Sequence, residues 1–220
     1  MAVNKITPVA RESTASIIAR QLRHAIMTGV LAPGTQLTEA ELAAQFAVSR
    51  GPLREAMQRL VQEGLLRSEL HRGLFVIELD AEDVYDIYLA RSAVERAALV
   101  RIIRSDQLRA AAVAQLTDVH QQMAAATDPD ALSDADLRFH EVLVAASGSK
   151  RLVRMAQTLL VETRMCLSAL QRTYPDGDER IDEHFQIVEA IRKADEHTAL
   201  ALLESHMSDA INRLAPAVAS

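Results

Sequence analysis

Apolar residues recur at helical spacing over most of this chain, and the exceptions are short. Residues 1–9 lack a clear period and read as a loose arm. From Ser13 onward, Ile17, Ile18, Leu22, Ala25 and Ile26 mark one face of a helix that stops at Thr28-Gly29. Pro33-Gly34 predicts a turn and Gln36-Leu37 a very short strand. Thr38 and Glu41 have the spacing of a capping box for the next helix, on which Leu42 and Phe46 sit one turn apart. Ala47 and Val48 close that helix into a tight turn. Ser49 caps another, with Pro52 in the first turn, where a missing N–H costs nothing. Its buried stripe is Leu53, Met57, Leu60 and Val61, and Gly64 ends it. Residues 65–70 and 74–79 then predict two short strands joined by a turn at 71–73.

Beyond residue 79 the period is helical throughout. Six helices are predicted, over 80–103, 106–126, 133–146, 149–173, 178–193 and 195–214. Asp128-Pro129 breaks the second, Ser133 starts the third, and Pro175-Asp176-Gly177 forms a loop after the fourth. Short connections between helices imply an antiparallel bundle. The fold class is therefore mostly α: an N-terminal winged helix-turn-helix over 1–78, followed by an all-α antiparallel helical bundle over 79–220.

Two short helices, a tight turn and basic residues at the head of the second helix have a known use. The head of such a helix enters the major groove of DNA, where Arg reads guanine edges. Arg50 and Arg54 lie one turn apart and off the apolar stripe. Arg72-Gly73 falls near the tip of the wing. Residues 39–42, Val48-Ser49-Arg50, Pro52-Leu53-Arg54-Glu55-Ala56, Leu60, Glu63-Gly64-Leu65 and Arg72-Gly73 resemble the winged-helix signature of the GntR family of bacterial transcription regulators. Upstream, Gly29-Val30-Leu31-Ala32-Pro33-Gly34 resembles the turn after that family's first helix. The resemblance implies that Ser49, Arg50, Pro52, Arg54, Arg72 and Gly73 form the face toward double-stranded DNA. Some members carry an Arg where Ala40 stands here, so one DNA contact is expected to be missing.

Composition sharpens this reading. Trp is absent and aromatics make up 3%, which favours helices packed on aliphatic seams. The single cysteine, Cys166, excludes an internal disulfide and reads as a small core residue. No apolar run is long enough to span a bilayer, and residues 1–10 lack a signal-peptide core, so a cytoplasmic protein is expected. The net charge of −6 hides an asymmetry. Residues 1–78 hold nine Lys and Arg against seven Asp and Glu, whereas residues 79–220 hold 15 against 23. The basic excess travels with the helix-turn-helix but is small, so a homodimer is expected to supply two copies of it.

Four residues of the bundle stand out. Asp136 and His140 are four apart and project from one helical face; His184 and His206 lie on later helices among apolar neighbours. A shared divalent ion would give all four a partner, zinc foremost, with nickel or manganese as alternatives. By spacing alone each could instead be a satisfied core or surface group. The segments 136–140, Glu183-His184 with Ile187 and Ala190-Ile191, and His206-Met207 resemble the metal-binding pattern of the FadR C-terminal-domain (FCD) branch of GntR regulators, of the six-helix VanR-like type. That branch binds a metal through an Asp and three His in an effector pocket. Arg91, on the inward face of its helix, either clamps the carboxylate of an organic acid or pairs with Glu95; Arg164 is a second candidate for the clamp. The resemblance implies a repressor that binds a short inverted repeat and answers to a small organic or sugar acid. Two alternatives remain at this level. One is a metal-dependent hydrolase or isomerase, for which no general base or nucleophile motif is visible. The other is a DNA-binding regulator whose metal is purely structural.

Overall fold

The computed structural model describes residues 12–70, 72–170 and 177–218. The expected arm, His71 in the wing turn, and Pro175-Asp176 of the expected loop lie outside the described residues. The chain divides into two compact units, Met1–Ile77 and Glu78–Ser220.

In the first unit the order is α1 (Thr14–Met27), β1 (Gln36–Leu37), α2 (Glu39–Gln45), α3 (Arg50–Gln62), β2 (Leu66–Glu69) and β3 (Gly73–Val76). The Ser13 hydroxyl accepts from the Ser16 N–H at 3.1 Å and starts α1. Ile18, Leu22 and Ile26 of α1 are buried, as are Leu53, Ala56, Met57 and Leu60 of α3, and the two helices pack on each other. Ala56 replaces the expected Val61 on the fully buried stripe; Val61 is only half-buried. Arg23 of α1 binds Glu63 through two hydrogen bonds of 2.7 and 2.8 Å, which pins the end of α3. The turn after α2 closes through Val48 N–H to the Ala43 carbonyl, 3.0 Å, with Ala47 at φ 53°. Gly64, at φ 77°, ends α3 in the same way. The capping box expected at Thr38 is not formed, and neither the Thr38 nor the Ser49 side chain makes a cap hydrogen bond. Glu39 and Glu41 still place negative charge against the positive end of α2. The strands form an antiparallel sheet in the order β1-β3-β2, shorter than the sequence suggested.

The second unit holds α4 (Ala81–Ile103), α5 (Asp106–Ala124), α6 (Pro129–Ala146), α7 (Lys150–Leu170), α8 (Gly177–Arg192) and α9 (Glu196–Val218). A reciprocal capping box starts α4: Asp80 accepts from the Glu82 and Asp83 N–H groups, and Asp83 accepts from the Asp80 N–H. Helix α6 begins four residues earlier than Ser133 suggested. Asp128 caps it by accepting from Ala131 N–H at 2.8 Å, and Pro129 occupies its first turn. Pro129 thus opens a helix where the sequence reading had it break one. Asp128→Ala is expected to lower stability by about 1 kcal/mol, read as a lower urea midpoint, whereas Ser133→Ala should leave the midpoint within error. The bundle core joins Leu99 and Ile102 of α4, Leu116 and Met123 of α5, Phe139 and Leu143 of α6, Ile187 and Ile191 of α8, and Leu203 of α9. Cys166 is buried there, and burial pushes its thiol up to about 12, so it stays protonated and inert. Among the described residues, no helix is long and apolar enough to cross a membrane.

Candidate functional site

The first turn of α3 is presented outward. Ser49, Arg50 and Arg54 are exposed, and Pro52 is half-buried against the unit. The Arg54 guanidinium is held from the side by Glu39 of α2, Nε to the two carboxylate oxygens at 2.7 and 3.0 Å. This contact fixes where the Arg54 side chain points, and its side chain remains 63% exposed. At the wing, Arg72 pairs with Glu69 and stands over the Phe75 ring at 5.1 Å. Gly73 has φ 101°, a backbone region that a side chain would strain. The Gln36 side-chain amide donates to the Arg72 carbonyl and ties the wing to β1. Ala40 is exposed on α2 and offers no polar group beside this face.

The second unit hides its polar groups in one place. Among the described residues, the buried polar or charged side chains are Arg91, Glu95, Asp136, His140, Ser147, Thr163, Arg180, His184 and His206, and all but Ser147 gather around one centre. The four expected ligands come together: one donor atom from each of Asp136, His140, His184 and His206 lies within 4.8 Å of every other. His140 Nε2 is 3.2 Å from His206 Nε2 and 3.4 Å from His184 Nε2. Asp136 Oδ1 is 3.3 Å from His184 Nε2, yet it is buried and accepts no hydrogen bond.

The far side of each ring explains why. His140 Nδ1–H donates to Glu95 Oε2 at 2.7 Å, His184 Nδ1–H to the Arg180 carbonyl at 2.7 Å, and His206 Nδ1–H to Glu183 Oε2 at 2.8 Å. A neutral imidazole has one N–H, and each ring directs it outward. Three Nε2 lone pairs and a carboxylate oxygen are then left facing one another, an arrangement that repels itself unless a cation sits between them. Burial holds the His184 imidazolium off, lowering its pKa to about 3, with the neighbouring His206 adding to the effect. Burial also holds His140 well below the usual range, with Arg91 adding to it. Burial opposes the Asp136 charge, yet its charged surroundings, the Arg180 guanidinium among them, hold its carboxyl below the usual range. Ligands on adjacent positions about 2.0–2.1 Å from one ion stand about 3.0–3.4 Å apart, which the three separations of 3.2, 3.3 and 3.4 Å match, while the set as a whole spans up to 4.8 Å, wider than a closed tetrahedron. The donor set therefore fits a borderline divalent ion, with each imidazole oriented by an outer acceptor as metal-binding histidines commonly are.

A tight cavity adjoins the cluster, lined by Tyr88, Arg91, Asp136, Arg180 and His206 among others. It leaves about 10 Å³ for the centre of a water-sized guest, room for a single water or ion. Both alternatives posed for Arg91 have a place in it. Its Nε donates to Glu95 Oε1 at 3.1 Å and its Nη1 to Thr163 Oγ1 at 3.4 Å, while its buried Nη2 has no hydrogen-bond partner. Arg164 must be removed from the pocket. It is part-exposed on α7, pairs with Asp134 of α6, and does not line the cavity. Three participants were not identified from sequence as parts of the centre: Glu95 as the acceptor for His140, Glu183 for His206, and Arg180. The Arg180 carbonyl was accessible in principle, four residues before His184 on one helix.

Comparison with known proteins places both units. Residues 14–76 match the bacterial regulatory proteins of the gntR family, and residues 86–209 match the FCD domain. The gluconate operon transcriptional repressor of Bacillus licheniformis is 31% identical over 211 residues, 91% of this chain and 85% of that protein. Its counterpart in Bacillus subtilis is 29% identical over 209 residues, with the same shares covered. A solved structure from Rhodococcus sp. RHA1, assigned to the GntR transcriptional regulators, superposes with a TM-score of 0.77 at 28% identity, covering 92% of this chain and 98% of that one. The chain belongs to the gntR family of bacterial regulatory proteins, carries an FCD domain after its winged helix, and is a transcription regulator rather than an enzyme.

Proposed function

We propose that this regulator is a repressor that binds a short inverted-repeat operator as a homodimer and is controlled by a small organic or sugar acid at a metal-containing pocket. The observation that carries the reading is the convergence of three imidazole lone pairs and an unsatisfied carboxylate oxygen beside a cavity lined by the Arg91 guanidinium. Arg50 and Arg54 read bases in the major groove, Ser49 and the head of α3 hold phosphates, and Arg72 reaches the minor groove or backbone. Pro52 and Gly73 shape the two elements that carry them. Asp136, His140, His184 and His206 hold the divalent ion, zinc foremost, nickel or manganese as alternatives. When bound, the ion supplies a Lewis-acidic position for a carboxylate or hydroxyl oxygen of the acid. Arg91 Nη2 then takes the acid's far carboxylate.

The cavity is too small for an acid as it stands, so an acid binds an opened arrangement and shifts the population toward it. That shift is what can alter the spacing of two winged helices. Two relatives govern gluconate operons, which makes gluconate the first acid to try. The test combines a thermal-shift screen of organic and sugar acids, with and without zinc, with footprinting of DNA upstream of neighbouring genes. The reading expects an acid that stabilises the protein only when metal is present and that moves operator affinity. A footprint that responds neither to any acid nor to chelator overturns ligand control. The tight cavity also favours a second reading, in which the ion is structural and no acid enters.

A further inference from the structure

We propose that Glu95 is a positioning residue that couples the anion side of the pocket to the metal side, so that the charge at Arg91 sets how firmly His140 holds an ion. The inference rests on the reading of Asp136, His140, His184 and His206 as metal ligands. Arg91 and Glu95 lie one turn apart on α4, and each is 2% exposed, so water does not compete for either. The Glu95 carboxylate is divided. Oε1 accepts from Arg91 Nε at 3.1 Å, and Oε2 accepts from His140 Nδ1 at 2.7 Å. His140 has its outer nitrogen tied to a group that a cavity-lining cation, Arg91, also holds. His184 leans on a backbone carbonyl, and His206 on Glu183, which is 22% exposed.

A carboxylate on the far nitrogen fixes the tautomer of a ligating imidazole and raises the basicity of the near nitrogen. The Arg91 guanidinium draws on the same carboxylate and weakens that push. An anion taken up by Arg91 Nη2 would engage part of the guanidinium charge and return the carboxylate to His140. Reciprocity then requires that an acid tighten the ion and the ion tighten the acid.

The experiment is a four-variant cycle on the full chain: wild type, Arg91→Gln, Glu95→Gln and the double variant. Zinc affinity is measured by competition with a chromophoric chelator, and the fold of each metal-free protein is checked by circular dichroism. Glu95→Gln is expected to weaken zinc binding about 10- to 100-fold. Arg91→Gln is expected to tighten it, by a factor about three or more larger with Glu95 present than in the Glu95→Gln background. A purely structural Glu95 would move melting temperatures without this non-additivity. If Glu95→Gln fails to fold with Arg91 unpaired, the double variant decides: zinc affinity equal to that of Arg91→Gln alone overturns the role of Glu95. Equal effects of Arg91→Gln in both backgrounds also overturn it, while leaving the metal reading standing. Wild-type protein that takes up no zinc overturns the metal reading and this inference together.

Discussion

Arg50→Ala combined with Arg54→Ala is expected to abolish specific operator binding while leaving the protein folded. Both side chains are exposed at the head of α3, so no core contact is lost. The Arg54–Glu39 pair is a surface pair, 63% and 37% exposed, and such pairs contribute about 0–1 kcal/mol. Surface substitutions of this kind move stability by about 0.5 kcal/mol. A bidentate base contact, by contrast, discriminates by about 1–3 kcal/mol, so losing two removes at least about 30-fold and up to about 10⁴-fold in affinity for each half-site. The deficit cannot be made up by general attraction to phosphate, because residues 1–78 carry an excess of only two positive charges. Fluorescence anisotropy on the footprinted operator reads the affinity, and a thermal melt with size-exclusion chromatography reads the fold and assembly. Unchanged footprints would move the DNA face away from α3.

The winged helix could be read from sequence because its signals are local. Gly64 at φ 77° and the Ala47 turn are properties of a few consecutive residues, and caps and turn residues report on those directly. The clustered set of Asp136, His140, His184 and His206 was also within reach, since Asp136 and His140 share a helical face and His184 and His206 interrupt apolar stripes. What failed was information held between helices. Arg164 sits beside the buried Thr163 and Leu167 on α7, and one further step around the helix put it within reach of Asp134 at the surface. Glu95 is 45 residues from His140, so the bond that orients that ring exists only once α4 and α6 pack. The start of α6 is ambiguous in the sequence for a different reason. Asp128-Pro129 and Ser133 are both acceptable starts, and Asp128 wins because Pro129 in the first turn has its φ already set.

Zinc added to metal-free protein is expected to raise the melting temperature by roughly 10 °C, and His184→Ala or His206→Ala should remove most of that shift. At a thousandfold excess over Kd, binding to the native state alone contributes about 4.1 kcal/mol, and each kcal/mol moves the midpoint by about 2–4 °C for a chain of this size. On the metal reading the metal-free state is the less stable one, because ring nitrogens 3.2 and 3.4 Å apart and an Asp136 oxygen that accepts no hydrogen bond face each other. His184 is fully buried, so its removal also leaves a cavity; His206 is 6% exposed and loses less packing. Measuring each variant against its own metal-free melt separates that packing loss from the loss of the ion. The size of the chelator effect also divides the two readings of the ion. A structural ion takes most of the bundle's stability with it, whereas a sensing ion takes the acid response and leaves a modest change in melting. A zinc shift of equal size in wild type and both variants would put the ion elsewhere, and the four buried side chains would then be polar packing alone.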